Sequence, residues 1–113
     1  GLTTSNEILS YITSHEGQLC DAYVATDSTI AFYFLRELQK RGILVPKDIQ
    51  VIAFDDGILA EVSEPSMTVV KIDVMNLGMA AAKMLIQQLR LEAQSPDHLL
   101  LSTSIIERGS TRK

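Results

Sequence analysis

The sequence predicts an open α/β sheet, mainly parallel, with flanking helices. Three observations carry that prediction. Short apolar runs, AYVA at 22–25 and VIAF at 51–54, stand between polar residues, as strands buried on both faces do. Segments with apolar residues at helical spacing alternate with them. Both runs also stop at acids, Asp27 in one case and Asp55-Asp56-Gly57 in the other, where a turn should leave a strand tip. Strands alternating with helices imply parallel pairing through right-handed crossovers.

Each element follows from its residues. Thr4 and Glu7 have the spacing of a capping box, and Ile8, Leu9 and Ile12 recur at helical spacing, so a helix is expected over about 4–16, ended by Gly17. The strand at 22–25 follows. Ser28 is the expected N-cap of the next helix, over about 28–41, whose stripe is Ile30, Ala31, Phe34, Leu35 and Leu38. Lys40 and Arg41 suit its last turn, and Gly42 suits the left-handed cap. Pro46 sets an extended entry to the strand at 49–54. A helical turn is expected over 58–62, stopped at Glu64-Pro65. TVVKI at 68–72 is β-branched and reads as a third strand. Asp73 caps a helix running to about 93, with Leu77, Ala81, Leu85 and Leu89 on one face and Gly78 permitting close approach. Ser95-Pro96-Asp97 breaks it, and 99–107 is the last strand-like segment. No internal repeat or low-complexity stretch interrupts this order.

Composition narrows the function. The chain has 113 residues, enough for one small domain. A net charge of −4 and a pI near 5.0 argue against this stretch gripping a nucleic-acid backbone by itself. No apolar run is long enough to span a membrane. A single cysteine, Cys20, allows no internal disulfide and suits a cytoplasmic setting. His15 and His98 lack ligand-like spacing, so no metal is expected. There is no G-x-S-x-G, G-x-G-x-x-G or Walker motif, so neither a hydrolase triad nor a glycine-loop cofactor site is expected. Met75, Met79 and Met84 on the long helix read as core or interface. The chain opens at Gly1 almost directly in a helix, without an initiating Met, so further sequence is expected upstream.

Ligands of open parallel sheets bind beyond the C-terminal ends of the strands. If the strands ending at Asp27 and Asp55 are neighbours, the two acids face one crevice. The alternative is that Asp27, Asp55 and Asp56 cap turns and helices, with Thr26 and Ser28 beside them. Position alone leaves both open. A carboxylate without a metal only accepts hydrogen bonds, and it can take two hydroxyls at once, which suits a sugar. Adjacent acids after an apolar strand are also similar to the magnesium-holding pair of receiver domains. There, however, the phosphorylated Asp lies on a later strand, whereas Asp27 comes earlier.

Four stretches in order, DAYVATDSTIA, RGILVPKDIQVIAFDD, EPSMTVVKID and SIIERGST, resemble the effector-binding domain of LacI/GalR transcriptional regulators from about Asp21 to Thr111. The resemblance implies a periplasmic-binding-protein-like fold of two subdomains with an effector, commonly a sugar, in the cleft between them. It implies that Asp27 and Asp55 contact the effector, with Thr26, Ser28 and Asp56 as further ligand-binding or structural candidates. It also implies a homodimer, with Phe32, Tyr33, Leu59, Val62 and Ser63 at the interface. Ser28 stands where the family usually has Asp, and Phe32 and Tyr33 are larger than usual there. Residues 1–72 and 98–113 would form the C-terminal subdomain. Residues 73–97 would be a crossover helix of an N-terminal subdomain absent from this sequence, as is the family's DNA-binding helix-turn-helix headpiece. The expected function is effector sensing without catalysis or cofactor. The alternative within the fold is an extracytoplasmic sugar-binding protein serving a transporter.

Overall fold

A computed structural model describes residues 5–91 and 99–112. The elements run α1 (Ser5–Ser14), β1 (Ala22–Ala25), α2 (Ser28–Lys40), β2 (Gln50–Phe54), α3 (Ile58–Val62), β3 (Thr68–Lys71), α4 (Val74–Leu89) and β4 (Ser104–Ile106). This is the expected order, with α1, α4 and β4 shorter than expected. Thr4 and the break at 95–97 lie outside the described residues.

The chain divides into two compact units, Gly1–Lys71 with Ile105–Lys113, and Ile72–Ser104. The larger unit is built on the sheet, in which the strands follow one another as β1-β2-β3-β4. β1 and β2 are parallel, with Ala22 opposite Gln50 and Ala25 opposite Ala53. β2 and β3 are parallel, with Ile52 opposite Thr68 and Phe54 opposite Val70.

The core forms where the helical and strand periods meet. Ala31, Phe34, Leu35 and Leu38 of α2 are buried, three or four residues apart on one face. Alternate β2 residues, Val51 and Ala53, are buried with them, as are Val69 of β3 and Ile8 and Ile12 of α1. Each such large aliphatic side chain contributes about 1.5–3 kcal/mol of transfer free energy. α2 ends as its sequence demands: Gly42 adopts φ +73, a left-handed conformation that costs glycine nothing.

The smaller unit is dominated by α4. Asp73 caps it, accepting from the Asn76 amide at 3.1 Å. None of its side chains is buried, and Met75, Leu85 and Leu89 are all largely exposed. A Cβ at Gly78 would meet nothing within 4 Å, so nothing described in this chain uses the close approach expected there.

The N-terminal ends of β2 and β3 are held by the segment after β4. The Ser110 hydroxyl donates to the Val51 carbonyl at 2.5 Å and accepts from the Thr68 amide at 2.8 Å. The Thr68 hydroxyl accepts from the Arg108 amide at 2.9 Å and shares a hydrogen bond with Thr111 at 2.7 Å.

Candidate functional site

β1 and β2 pair in parallel, so their C-terminal tips lie side by side. Asp27 and Asp55 each stand two residues beyond a matched pair, Ala25 and Ala53. A second contact ties the tips together. A Cβ on Gly57 would fall 2.6 Å from the Ser28 hydroxyl oxygen, closer than real side chains come. The loop after β2 therefore rests directly on the start of α2, and any larger residue at 57 would force the Ser28 hydroxyl to shift.

Asp27 corrects one expectation. It, and not Ser28, is the N-cap of α2. Its backbone is extended, at φ −152 and ψ 169, as an N-cap requires, and its Oδ1 accepts from the Ile30 amide at 2.8 Å. Ser28 is already inside the helix and is buried under Gly57. A carboxylate has acceptor capacity beyond one amide, so the cap does not exhaust Asp27. Thr26 is exposed beside it.

Asp55 and Asp56 have different surroundings. β2 ends at Phe54, and Asp55 turns the chain with φ +75. Left-handed backbone costs a non-glycine residue roughly 1–2 kcal/mol, and Asp is among the few that visit it routinely. The Asp55 amide donates to the Val70 carbonyl at 2.9 Å, which pins the turn to β3. Its side chain is exposed, and among the described residues nothing bonds its carboxylate. Asp56 is instead drawn inward. Its Oδ1 accepts from Arg108 Nη1 at 2.8 Å, and the two side chains are only 13% and 17% exposed. The Arg108 guanidinium holds the Asp56 carboxyl below the ordinary carboxylate range.

Sequence reasoning gave Arg108 no role. Its side chain reaches across 52 positions of sequence, and the same Nη1 also donates to the Met67 carbonyl at 3.1 Å. Its one visible signal was membership of the SIIERGST stretch.

The five residues expected at an interface divide. Tyr33 and Val62 are exposed, while Phe32 and Leu59 are half-buried. Arg36 lies 5.8 Å over the Phe32 ring, within cation–π range. Ser63 is buried, and its hydroxyl donates to the Pro65 carbonyl at 2.9 Å, closing the end of α3.

A groove of about 390 Å³ opens at the other end of the strands, lined by residues such as Ile12, Cys20, Asp21, Arg41 and Ile49. No strand-tip acid borders it. Among the described residues, no group of three His, Cys, Asp or Glu side chains could hold a metal ion. No described helix is long and apolar enough to cross a membrane.

Comparison with known proteins bears on this arrangement. The periplasmic binding protein-like domain family matches residues 5–111. The lactose operon repressor of Rhizobium radiobacter is 32% identical over 93 residues, 82% of this chain and 81% of that protein. The chain belongs to the LacI/GalR family. The HTH-type transcriptional regulator GalR of Streptococcus thermophilus is 37% identical over 94 residues, 83% of this chain but 28% of that protein. Among solved structures, the transcriptional regulator CelR in complex with cellobiose matches with a TM-score of 0.82 at 28% identity, covering 97% of this chain and 34% of that one. The chain thus spans about a third or less of two LacI/GalR-type regulators that it matches. What it holds is part of their effector-binding domain, in the expected α/β fold.

Proposed function

We propose that this chain senses a small polyol, a sugar, through Asp55 with Asp27 beside it, as part of a cytoplasmic, dimeric LacI/GalR regulator. The supporting observation is the Asp55 carboxylate. It stands exposed at a strand tip, on a backbone turn that costs energy, with no protein donor described for it. Strained backbone at such a position is characteristic of binding sites. A bare carboxylate can accept two vicinal hydroxyls. The cellobiose-bound CelR relative supports this ligand class.

In this reading the role is binding without catalysis, and Asp27 supplies its second oxygen while its first caps α2. Residues 73–97 belong to an N-terminal subdomain that lies mainly elsewhere in the regulator, and effector binding closes that regulator's cleft. Closure alters the spacing of DNA-binding headpieces carried elsewhere in a regulator, through a dimer that uses Phe32, Tyr33, Leu59 and Val62. The test is titration calorimetry with a panel of mono- and disaccharides that includes cellobiose. Asp55→Asn keeps a residue that tolerates left-handed backbone and removes the charge. It should weaken binding of any sugar that binds by about tenfold or more. Equal affinity in the variant would refute the role of Asp55.

A further inference from the structure

We infer that Arg108 is a positioning residue for the ligand site, acting on Asp55 through Asp56. The inference rests on Asp55 being the ligand carboxylate. Its geometric part stands on the protein alone.

Arg108 is itself fixed. Its amide donates to the Thr68 hydroxyl at 2.9 Å, and the Thr68 hydroxyl is tied to Thr111 at 2.7 Å. Its Nη1 donates to the Met67 carbonyl at 3.1 Å, so backbone and side chain are both anchored at the start of β3. From that anchor the same Nη1 holds Asp56 Oδ1 at 2.8 Å. Asp55 is the preceding residue, and its own amide is held by the Val70 carbonyl of β3 at 2.9 Å. The left-handed residue is therefore gripped on both sides, by its amide and by the next side chain. Both grips lead to β3.

The pair also separates the charges of two adjacent carboxylates. Arg108 neutralises Asp56 in a largely buried setting, where an unpaired carboxylate would be driven out towards water. Without Arg108, Asp56 would leave its site and take the turn with it. The backbone at Asp55 would relax towards ordinary φ, and its carboxylate would swing away from Asp27. Lysine could restore the charge but not the length and fixed donor directions of the guanidinium, whose Nη1 alone serves both acceptors.

The test uses nuclear magnetic resonance on the 113-residue chain and its Arg108→Gln, Arg108→Lys and Asp56→Asn variants, alongside calorimetry with cellobiose. In Arg108→Gln, the Asp55 amide should exchange with solvent about tenfold faster or more, and its φ-sensitive proton coupling should change, while the Val51 and Val69 amides keep their protection. Arg108→Lys should recover part of both signals. Asp56→Asn should reproduce the Gln result, and it decides the matter if Arg108→Gln fails to fold. Where wild type binds cellobiose, the affinity should fall by about tenfold in step with the Asp55 signals. Unchanged Asp55 exchange and coupling in a folded variant would overturn the inference. So would a uniform loss of protection through β2 and β3, which would mark the pair as a general brace. Failure of wild type to bind any sugar would count against the sugar reading alone, because the Asp55 signals are read without ligand.

Discussion

Replacing Ser110 with alanine removes one fully buried oxygen from the N-terminal end of the sheet. That oxygen gives a hydrogen to the Val51 carbonyl at 2.5 Å and takes one from the Thr68 amide at 2.8 Å. The backbone of Ser110 is bonded independently: its carbonyl accepts from the Val51 amide at 3.1 Å and its amide donates to the Ser66 carbonyl at 2.9 Å. Alanine therefore keeps the chain in place and deprives two buried backbone groups of their partner. Each such group costs about 1–3 kcal/mol when left unpaired. Ser110 has no accessible surface and Thr68 only 2%, so solvent has little route to replace the hydroxyl. We expect a loss of about 3 kcal/mol, a large share of the roughly 5–15 kcal/mol that holds a domain of this size. At about 4–8 °C per kcal/mol, Tm should fall by roughly 15 °C. Urea titration followed by circular dichroism measures it, with an unchanged slope showing that the effect lies in the native state. Ser104→Ala, at an exposed position, is the control. A loss below about 0.5 kcal/mol for Ser110→Ala would refute the view that this hydroxyl joins the strands.

Three further outcomes are expected. Gly57→Ala should cost about 1–2 kcal/mol because its methyl meets the Ser28 hydroxyl, and Ser28→Ala should relieve most of that penalty; additive losses in the double variant's thermal melt would show that the two do not touch. The Asp56 carboxyl is held below its ordinary value by Arg108, so the pair contributes fully above about pH 4 and its contribution fades as pH falls through the lowered value. Stability of Asp56→Asn should thus fall less steeply in acid than that of wild type, and equal slopes would remove the pair from the pH dependence. Finally, the exposed Met75, Leu85 and Leu89 of α4 should make the isolated chain self-associate, and Leu85→Glu should reduce this; light scattering that finds wild type wholly monomeric would contradict it.

Local patterns in the sequence were enough for most of the fold. The α2 stripe at Ala31, Phe34, Leu35 and Leu38 is buried because helical spacing leaves those side chains on one face. Gly42 is left-handed where the end of α2 needs it. Competition between equivalent residues was not legible. Asp27 and Ser28 are both good N-caps, and which one serves depends on where the backbone leaves β1. The sheet pairing fixes that point, not the tetrapeptide. The resemblance placed Ser63 at an interface, and it could not show that the hydroxyl also closes the end of α3. Pairings across long stretches of chain were out of reach altogether. Nothing in the spacing of Asp56 and Arg108, or of Val51 and Ser110, announces that they meet.

The asymmetry of Asp55 and Asp56 was legible, but its cause was not. Alternation along a continuing strand would point the two carboxylates to opposite sides. β2 stops at Phe54, before either acid, so alternation does not reach them. The asymmetry comes instead from one backbone angle and one arginine. The left-handed turn at Asp55 takes the chain off the strand, and Arg108 then holds the second carboxylate inward. Asp55 is exposed while its neighbour is held. A change that frees Asp56 should therefore be felt first at Asp55, even though the two side chains do not touch the same partner.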